Sequence, residues 1–227
     1  MSLSDVQSAI ISCEQCPRLR GYCKEIGRVK KAAFRNDLYW ARPVPGFGDP
    51  HARVLILGLA PAAHGANRTG RVFTGDGVGA SGDFLMAALK RARFANIATS
   101  QRVDDGLELR DAYIAAAVRC APPDNKPLPE EVGRCLPHLA NEVAQLANLR
   151  VVVALGKIAW DAWLKLIVQR GEVLPRPRPA FGHGAVWINN GLVLIGAYHP
   201  SRQNTNTGVV TPTMYDDVFR AARKHLR

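Results

Sequence analysis

The chain has 227 residues, 47% of them hydrophobic and 22% charged, and a net charge of +11. That length supports one well-buried core or two small ones, the composition excludes a disordered chain, and no apolar run approaches the roughly eighteen residues of a membrane span. A folded protein this basic is expected to meet a polyanion, nucleic acid first, and 22 of its thirty cations are Arg, which suits bidentate phosphate contacts, although a GC-rich genome gives the same bias.

Along the chain, Met1 to Ile11 has no basic leader, no long apolar stretch and no small-residue cleavage site. With an odd count of five cysteines, this points to a reducing, cytoplasmic compartment rather than to a disulfide framework. Cys13 and Cys16 form a C-x-x-C pair, followed by Cys23 and then by a Pro/Gly loop from Arg42 to Pro50. Val54–Leu57, Ala112–Val118, Val151–Leu155 and Leu192–Ala197 are short apolar runs without alternation, as central strands covered on both faces should be. Helical patterns lie between them. Asp83 to Phe94 repeats Phe84, Leu85, Ala88 and Leu89; Pro129-Glu130-Glu131 opens another helix with Pro first and acids in the first turn. Ile158–Val168 is a third, and Thr211–Leu226 closes the chain with Thr211 as N-cap and Pro212 at N1. The Pro-rich stretches Pro122–Pro129 and Pro175–Pro179 read as loops, so residues 1–227 are taken as one domain. Alternating strands and helices predict a three-layer α/β/α sandwich around a central four-stranded, mostly parallel sheet.

In such a sheet the loops beyond the strand C-termini build the site. The first, Gly58 to Asp76, carries two Arg and several Gly but neither a P-loop nor a dinucleotide fingerprint. The second is Arg119 to Pro127. The third, Tyr198 to Gly208, is dense in Ser, Asn, Gln and Thr, which donate to phosphate oxygens. Cys120 and Cys135 follow the second strand, far from the C-x-x-C pair. Four thiolates meeting in space hold either zinc or an iron–sulfur cluster, and two buried small hydrophobes at 120 and 135 remain an alternative.

The motifs C-x-x-C-P-R-L, W-A-R-P-V-P-G-F-G-D, G-L-A-P-A-A-H-G-x-N-R-T-G-R-x-F-T-G-D, A-A-V-R-C-A-P-P-x-N-K-P and Y-H-P-S-R-Q-N-T occur in this order over essentially the whole chain. Together they resemble the family 5, or type B, uracil-DNA glycosylases. The resemblance implies the glycosylase α/β/α fold, with an N-terminal segment stapled by a 4Fe–4S cluster on Cys13, Cys16, Cys120 and Cys135. Cys23 lies outside the family pattern, and Ala62 and Ala66 stand where relatives often have Gly or Ser. The implied partner is double-stranded DNA with deaminated bases, the product an abasic site and the protein a monomer.

Cleaving a base from deoxyribose needs an extruded nucleotide, negative charge near the cationic sugar, donors facing the departing base and a placed water. Asp76 is the only carboxylate of the first loop, able to orient water or simply to cap a turn. His199 ends the fourth strand and can donate to a base carbonyl as imidazole or imidazolium. Phe73 can stack on the base or pack in the core. Backbone groups around Ala60, Pro61 and Ala62 can read the base edge, and Asn125 can offer an amide. Ser201, Arg202, Gln203, Asn204 and Thr205 are expected in the minor groove, and Arg42, Arg68 and Arg71 on phosphates. Lys126 is the only Lys near an attack position in these loops, which disfavours Schiff-base chemistry. Uracil-specific relatives carry Asn where Ala116 stands, so a pocket open to uracil, hypoxanthine and other deaminated bases is expected. A non-catalytic metal-cluster module that binds nucleic acid is the rival reading.

Overall fold

The four predicted strands form and sit side by side in the middle of one sheet. The computed structural model describes residues 1–227 and has six strands: β1 (Phe47–Gly48), β2 (Val54–Gly58), β3 (Ala112–Ala116), β4 (Val151–Leu155), β5 (Val186–Asn189) and β6 (Leu192–Ala197). Their order is β1-β3-β2-β4-β6-β5; the inner four are parallel, and β1 and β5 run antiparallel at the edges. The sheet is therefore two strands wider than the sequence patterns indicate. β1 is two residues long among prolines, and β5, although Val186-Trp187-Ile188 is a short apolar run, is an exposed to half-buried edge strand and not a central strand covered on both faces. The β5–β6 hairpin does carry a local signal in Asn190-Gly191, whose φ values of 47° and 78° match the mirror-image turn that a two-residue hairpin needs.

Eight helices cover the sheet: α1 (Leu3–Ile11), α2 (Pro17–Val29), α3 (Ala66–Thr69), α4 (Ser81–Arg91), α5 (Pro129–Gln145), α6 (Lys157–Gln169), α7 (Arg202–Asn206) and α8 (Pro212–Lys224). Alternate strand residues point to opposite faces. Val54, Ile56, Ile114, Val153 and Ile195 pack with Leu85 and Leu89 of α4 and Tyr215 and Phe219 of α8. Leu55, Leu57, Val152 and Leu194 pack on the other face with Leu136 and Leu139 of α5 and Trp160 and Trp163 of α6. Truncating one of these buried leucines to Ala costs about 2–5 kcal/mol. Thr211 caps α8 by accepting from the Met214 amide at 3.3 Å, with Pro212 following at N1 as its chemistry dictates. The third strand stops at Ala116, but Ala117 and Val118 still donate to the Gly58 and Leu59 carbonyls at 2.9 Å. α4 ends at Arg91, before the predicted Phe94.

The acidic start of α5 has a second task. Glu131, almost fully buried, accepts the Leu128 amide at 2.8 Å and forms a bidentate pair with Arg18 of α2 at 2.7–2.8 Å. The N-terminal helices are thus joined to α5 without any bound group. No helix is long and apolar enough to cross a membrane.

All parallel strands end at one edge, where the loops after β2, β3 and β6 meet. The chain leaves β2 outward to β3 and then crosses to β4 on the other side, so a crevice opens at this reversal of strand order.

Candidate active site

The loop after β2 is long, and its conformation is set by two arginines. Arg68 donates to the His64 carbonyl at 2.9 Å and the Gly75 carbonyl at 2.7 Å, pairs with Asp37, and lies 4.0 Å over the Phe34 ring. Arg71 is buried: it donates to Thr74 Oγ1 at 2.9 Å and the Arg102 carbonyl at 2.6 Å, and pairs with Asp105 at 2.8 Å. The expectation that these two cations hold DNA phosphates is corrected by this geometry. Their donors are already occupied by the protein, and removing one partner of such a pair would leave a buried charge unsatisfied.

Braced in this way, the loop presents Asp76. One carboxylate oxygen lies where a Cβ on Gly65 would come within 1.7 Å, so only glycine at 65 leaves room for it. No protein hydrogen bond reaches the carboxylate, which faces the crevice. Burial pushes its pKa up to about 6; Arg202 and Arg68 pull the other way but do not outweigh it. At neutral pH Asp76 is an ionised, poorly solvated carboxylate with free lone pairs.

His199, just past β6, forms the facing wall. Burial alone lowers its pKa to about 4, so the ring is neutral at physiological pH and the imidazolium option falls away. Its ring lies nearly parallel to Phe73, with centroids 6.0 Å apart and planes at 29°. Its carbonyl accepts from Asn204 Nδ2 at 2.8 Å. Phe73 adopts φ +53°, unusual for a bulky residue, and two glycines make that possible. A Cβ on Gly58 would meet the Phe73 ring at 2.8 Å, and one on Gly82 would meet its carbonyl oxygen at 2.3 Å. One aromatic face therefore rests on the end of β2.

These groups line a single cavity of about 470 Å³ together with Ala60, Ala62, Ala116, Asn125, Ser201 and Arg202. Ala116 is buried at the C-terminus of β3 and forms part of the floor. Asn125 reaches the wall from a 3₁₀ turn (Pro123–Asn125) in which both it and Asp124 have positive φ. Pro61 is buried and does not line the cavity. Ser201 caps α7 through the Asn204 amide at 3.2 Å, and Thr205 donates to the Ser201 carbonyl at 3.2 Å. Asn204 and Thr205 thus hold His199 and its loop in place, while Arg202 and Gln203 remain exposed. Arg42 is exposed too, 5.8 Å from the Trp40 ring centroid and outside the cavity wall.

Sequence reasoning missed Lys31, Phe34 and His64, all on the cavity wall. His64 Nδ1 lies 3.0 Å from the Tyr39 hydroxyl. Burial, Lys31 and Arg68 all lower its pKa. No short-range pattern connects residue 31 with a loop at 60–76. The connection is made by docking, with Asn67 Nδ2 donating to the Cys23 carbonyl and the Trp40 amide to the Arg68 carbonyl.

The five cysteines are all free. Cys16, Cys23, Cys120 and Cys135 share one small apolar cluster, and Cys13 and Cys16 lie within electrostatic reach of Cys135. The Arg119 amide donates to Cys135 Sγ at 3.4 Å, while its buried guanidinium pairs with Glu142 at 2.6 Å. Burial raises the Cys135 thiol to about 11 and the Cys16 thiol as well. No three of these side chains are close enough to share one metal ion. A cluster of four irons spans more space and takes one thiolate per iron. Cys16, Cys120 and Cys135, with Cys13 in electrostatic reach, lie near one another in the way a cluster of that kind requires of its ligands.

A family model described as the uracil DNA glycosylase superfamily matches residues 45–226. The chain is 49% identical to the type-5 uracil-DNA glycosylase of Mycobacterium tuberculosis over 98% of its own length and 81% of the relative's. It is 48% identical to the type-5 protein of Thermus thermophilus over 95% and 94% of the two chains. With the corresponding Pyrobaculum aerophilum protein the identity is 43% over 96% and 91%. A sheet whose C-terminal edge gathers an ionised carboxylate, a neutral imidazole and an aromatic ring, in a chain so similar throughout to these enzymes, places the protein in the type-5 branch of the uracil DNA glycosylase superfamily.

Proposed function

We propose that the protein removes uracil and other deaminated bases from DNA by hydrolysis of the N-glycosidic bond, leaving an abasic site. The observation that carries this reading is the convergence of Asp76, His199 and Phe73 on one cavity. The target nucleotide leaves the stack and enters that cavity, because C1′ is out of reach inside a duplex. Its base lies against Phe73, held by stacking and by backbone N–H groups near Ala60 and Ala62. As the bond breaks, negative charge grows on the base, and the neutral His199 ring donates to a base carbonyl without first giving up a charge. Asp76 stabilises the cationic sugar and positions, or deprotonates, the water that attacks C1′. The Lys31 ammonium on the rim has no buried pocket to activate it, and water is the nucleophile, so no Schiff base forms.

A 4Fe–4S cluster on Cys13, Cys16, Cys120 and Cys135 supplies no step of base release; it ties the N-terminal segment to the loop and helix after β3. At the cavity mouth Arg202, and outside the cavity Gln203, meet the duplex, and Arg42 meets a flanking phosphate.

Ala116 offers no polar group to the base, so a purine such as hypoxanthine is not rejected by an unpaired buried amide. Asn125 is the one amide side chain in the wall and hydrogen-bonds what enters without excluding the larger ring. Single-turnover release of uracil and of hypoxanthine from otherwise identical duplexes tests both claims. Release of neither base overturns the glycosylase reading, and release of uracil alone with enzyme in large excess overturns the open pocket.

A further inference from the structure

Just before β5 the chain lies along the end of β6. The Gly184 amide donates to the Gly196 carbonyl and the Gly196 amide to the Ala185 carbonyl, both at 2.8 Å. A Cβ on Gly196 would come within 2.3 Å of the Gly182 carbonyl oxygen, so only glycine at 196 lets this segment pass. The approach to it is braced as well. Trp160 Nε1 donates to the Pro179 carbonyl at 3.2 Å, and the Phe181 and Trp160 rings meet edge to face. The segment delivers His183, a half-buried ring packed beside Tyr198 and Tyr215 that does not line the cavity. Its Nδ1 accepts the Tyr198 amide at 3.2 Å, and its Nε2 lies 3.3 Å from the Met214 carbonyl of α8. A carbonyl can only accept, so the two bonds together require the proton on Nε2 and a bare Nδ1. The Tyr198 carbonyl is held in turn by the Tyr215 hydroxyl at 2.8 Å. The residue before His199 is thus gripped at both ends of its backbone.

We propose that His183 is a positioning residue for His199: by accepting the Tyr198 amide it fixes the backbone that carries the base-facing imidazole. The inference rests on the glycosylase reading above. No hydrogen bond of the protein reaches the His199 ring, which has only the Phe73 ring beside it and its own backbone beneath it. The direction of the imidazole is therefore inherited from residues 198 and 199. Three elements set that direction: the segment before β5 through His183, α8 through Tyr215, and α7 through Asn204, which donates to the His199 carbonyl at 2.8 Å. A donor lowers the barrier to base release only when it is aimed in advance at the place where charge develops. Misplacement on the order of 1 Å costs up to about a hundredfold in rate. His183 stands outside the cavity and meets neither base nor sugar, so its effect on the reaction passes through His199 alone.

Two amide side chains each reproduce one half of the imidazole. His183→Asn offers an oxygen near the place of Nδ1, which keeps an acceptor for the Tyr198 amide and gives up the bond to Met214. His183→Gln reaches the Met214 carbonyl with its amide nitrogen and withdraws the acceptor from Tyr198. Single-turnover release of uracil from a duplex is measured for both variants, in the otherwise unmodified protein and again in His199→Ala. His183→Gln is expected to lower the rate about tenfold when His199 is present, the effect of a partial misplacement. In His199→Ala the same change should cost less than about twofold, because the group through which it acts is gone. His183→Asn should stay within about threefold of the unmodified protein, since the acceptor is restored. A purely structural role carries the loss unchanged into His199→Ala. Equal rates for the two variants, the reverse order, or a loss of the same size in both backgrounds overturns the positioning role and leaves the glycosylase intact. Absence of uracil release by the unmodified protein overturns the glycosylase reading, and the role of His183 with it.

Discussion

Replacing Asp76 with Asn keeps the size of the side chain, and therefore its fit against Gly65, while removing its charge. The carboxyl is raised from 3.8 to about 6 by burial, which corresponds to about 3 kcal/mol of destabilisation once it ionises in the folded chain. Water reaching the carboxylate through the cavity screens part of this, so about 1–2 kcal/mol is the expected gain for Asp76→Asn. In a chain of this length that is a rise in Tm of about 3–6 °C. The sign follows from the two protonation states. Below pH 3.8 the group is protonated in both folded and unfolded chains, and the variant gains nothing. As pH rises from 3.8 to about 6 the unfolded chain releases the proton and the folded one keeps it; the penalty therefore grows across this window and is complete above it. Thermal unfolding of both proteins between pH 4 and pH 8, with base release measured alongside, checks the argument. The variant should be more stable and far less active at neutral pH, with the stability difference vanishing toward pH 4. Equal Tm values at pH 7.5, or a difference of the same size at pH 4, would refute the claim that burial strains this carboxylate.

The same ionisation should shape catalysis, with kcat/KM falling as pH drops through about 6 and no second inflection near 6.5 from His199, which titrates near 4; a limb that survives in Asp76→Asn would belong to another group. His199→Ala should lower the single-turnover rate by about 10²–10³-fold with duplex binding retained, as loss of one preorganised donor does; a rate within threefold of the parent would remove His199 from the mechanism. Arg71→Ala should destabilise the fold by about 3–5 kcal/mol in denaturant unfolding, whereas Arg202→Ala should leave Tm unchanged and flatten the salt dependence of binding to abasic duplex by about one unit of slope. Cys120→Ser should lower the iron content and brown colour of anaerobically purified protein while Cys23→Ser preserves both; stoichiometric zinc without iron in the unmodified protein would exclude the cluster.

The sequence by itself determined the layers of this protein and the edge at which its site lies. Unbroken apolar runs such as Val151–Leu155 have no polar face to offer water, so they must be central strands, and the loops that follow them must meet. Capping chemistry was equally local: Thr211, Pro212 and the acids after Pro129 mark helix starts wherever they occur. Asp76 came forward as the only carboxylate of the first loop, His199 as the residue closing the fourth strand, and Phe73 as a ring able to stack on a base or pack in the core. What only the tertiary structure decided depended on partners far away in the chain. Arg71 reads as a free cation until Asp105 and the Arg102 carbonyl fold over it, while Arg202, of the same residue type, stays in solvent. Lys31, Phe34 and His64 share a wall because α2 docks on the loop after β2, a contact no periodicity encodes. Ionisation was decided in the same way. Burial, which is a property of the assembled cavity, raises Asp76 and lowers His199, so that one is charged and the other neutral at the same pH.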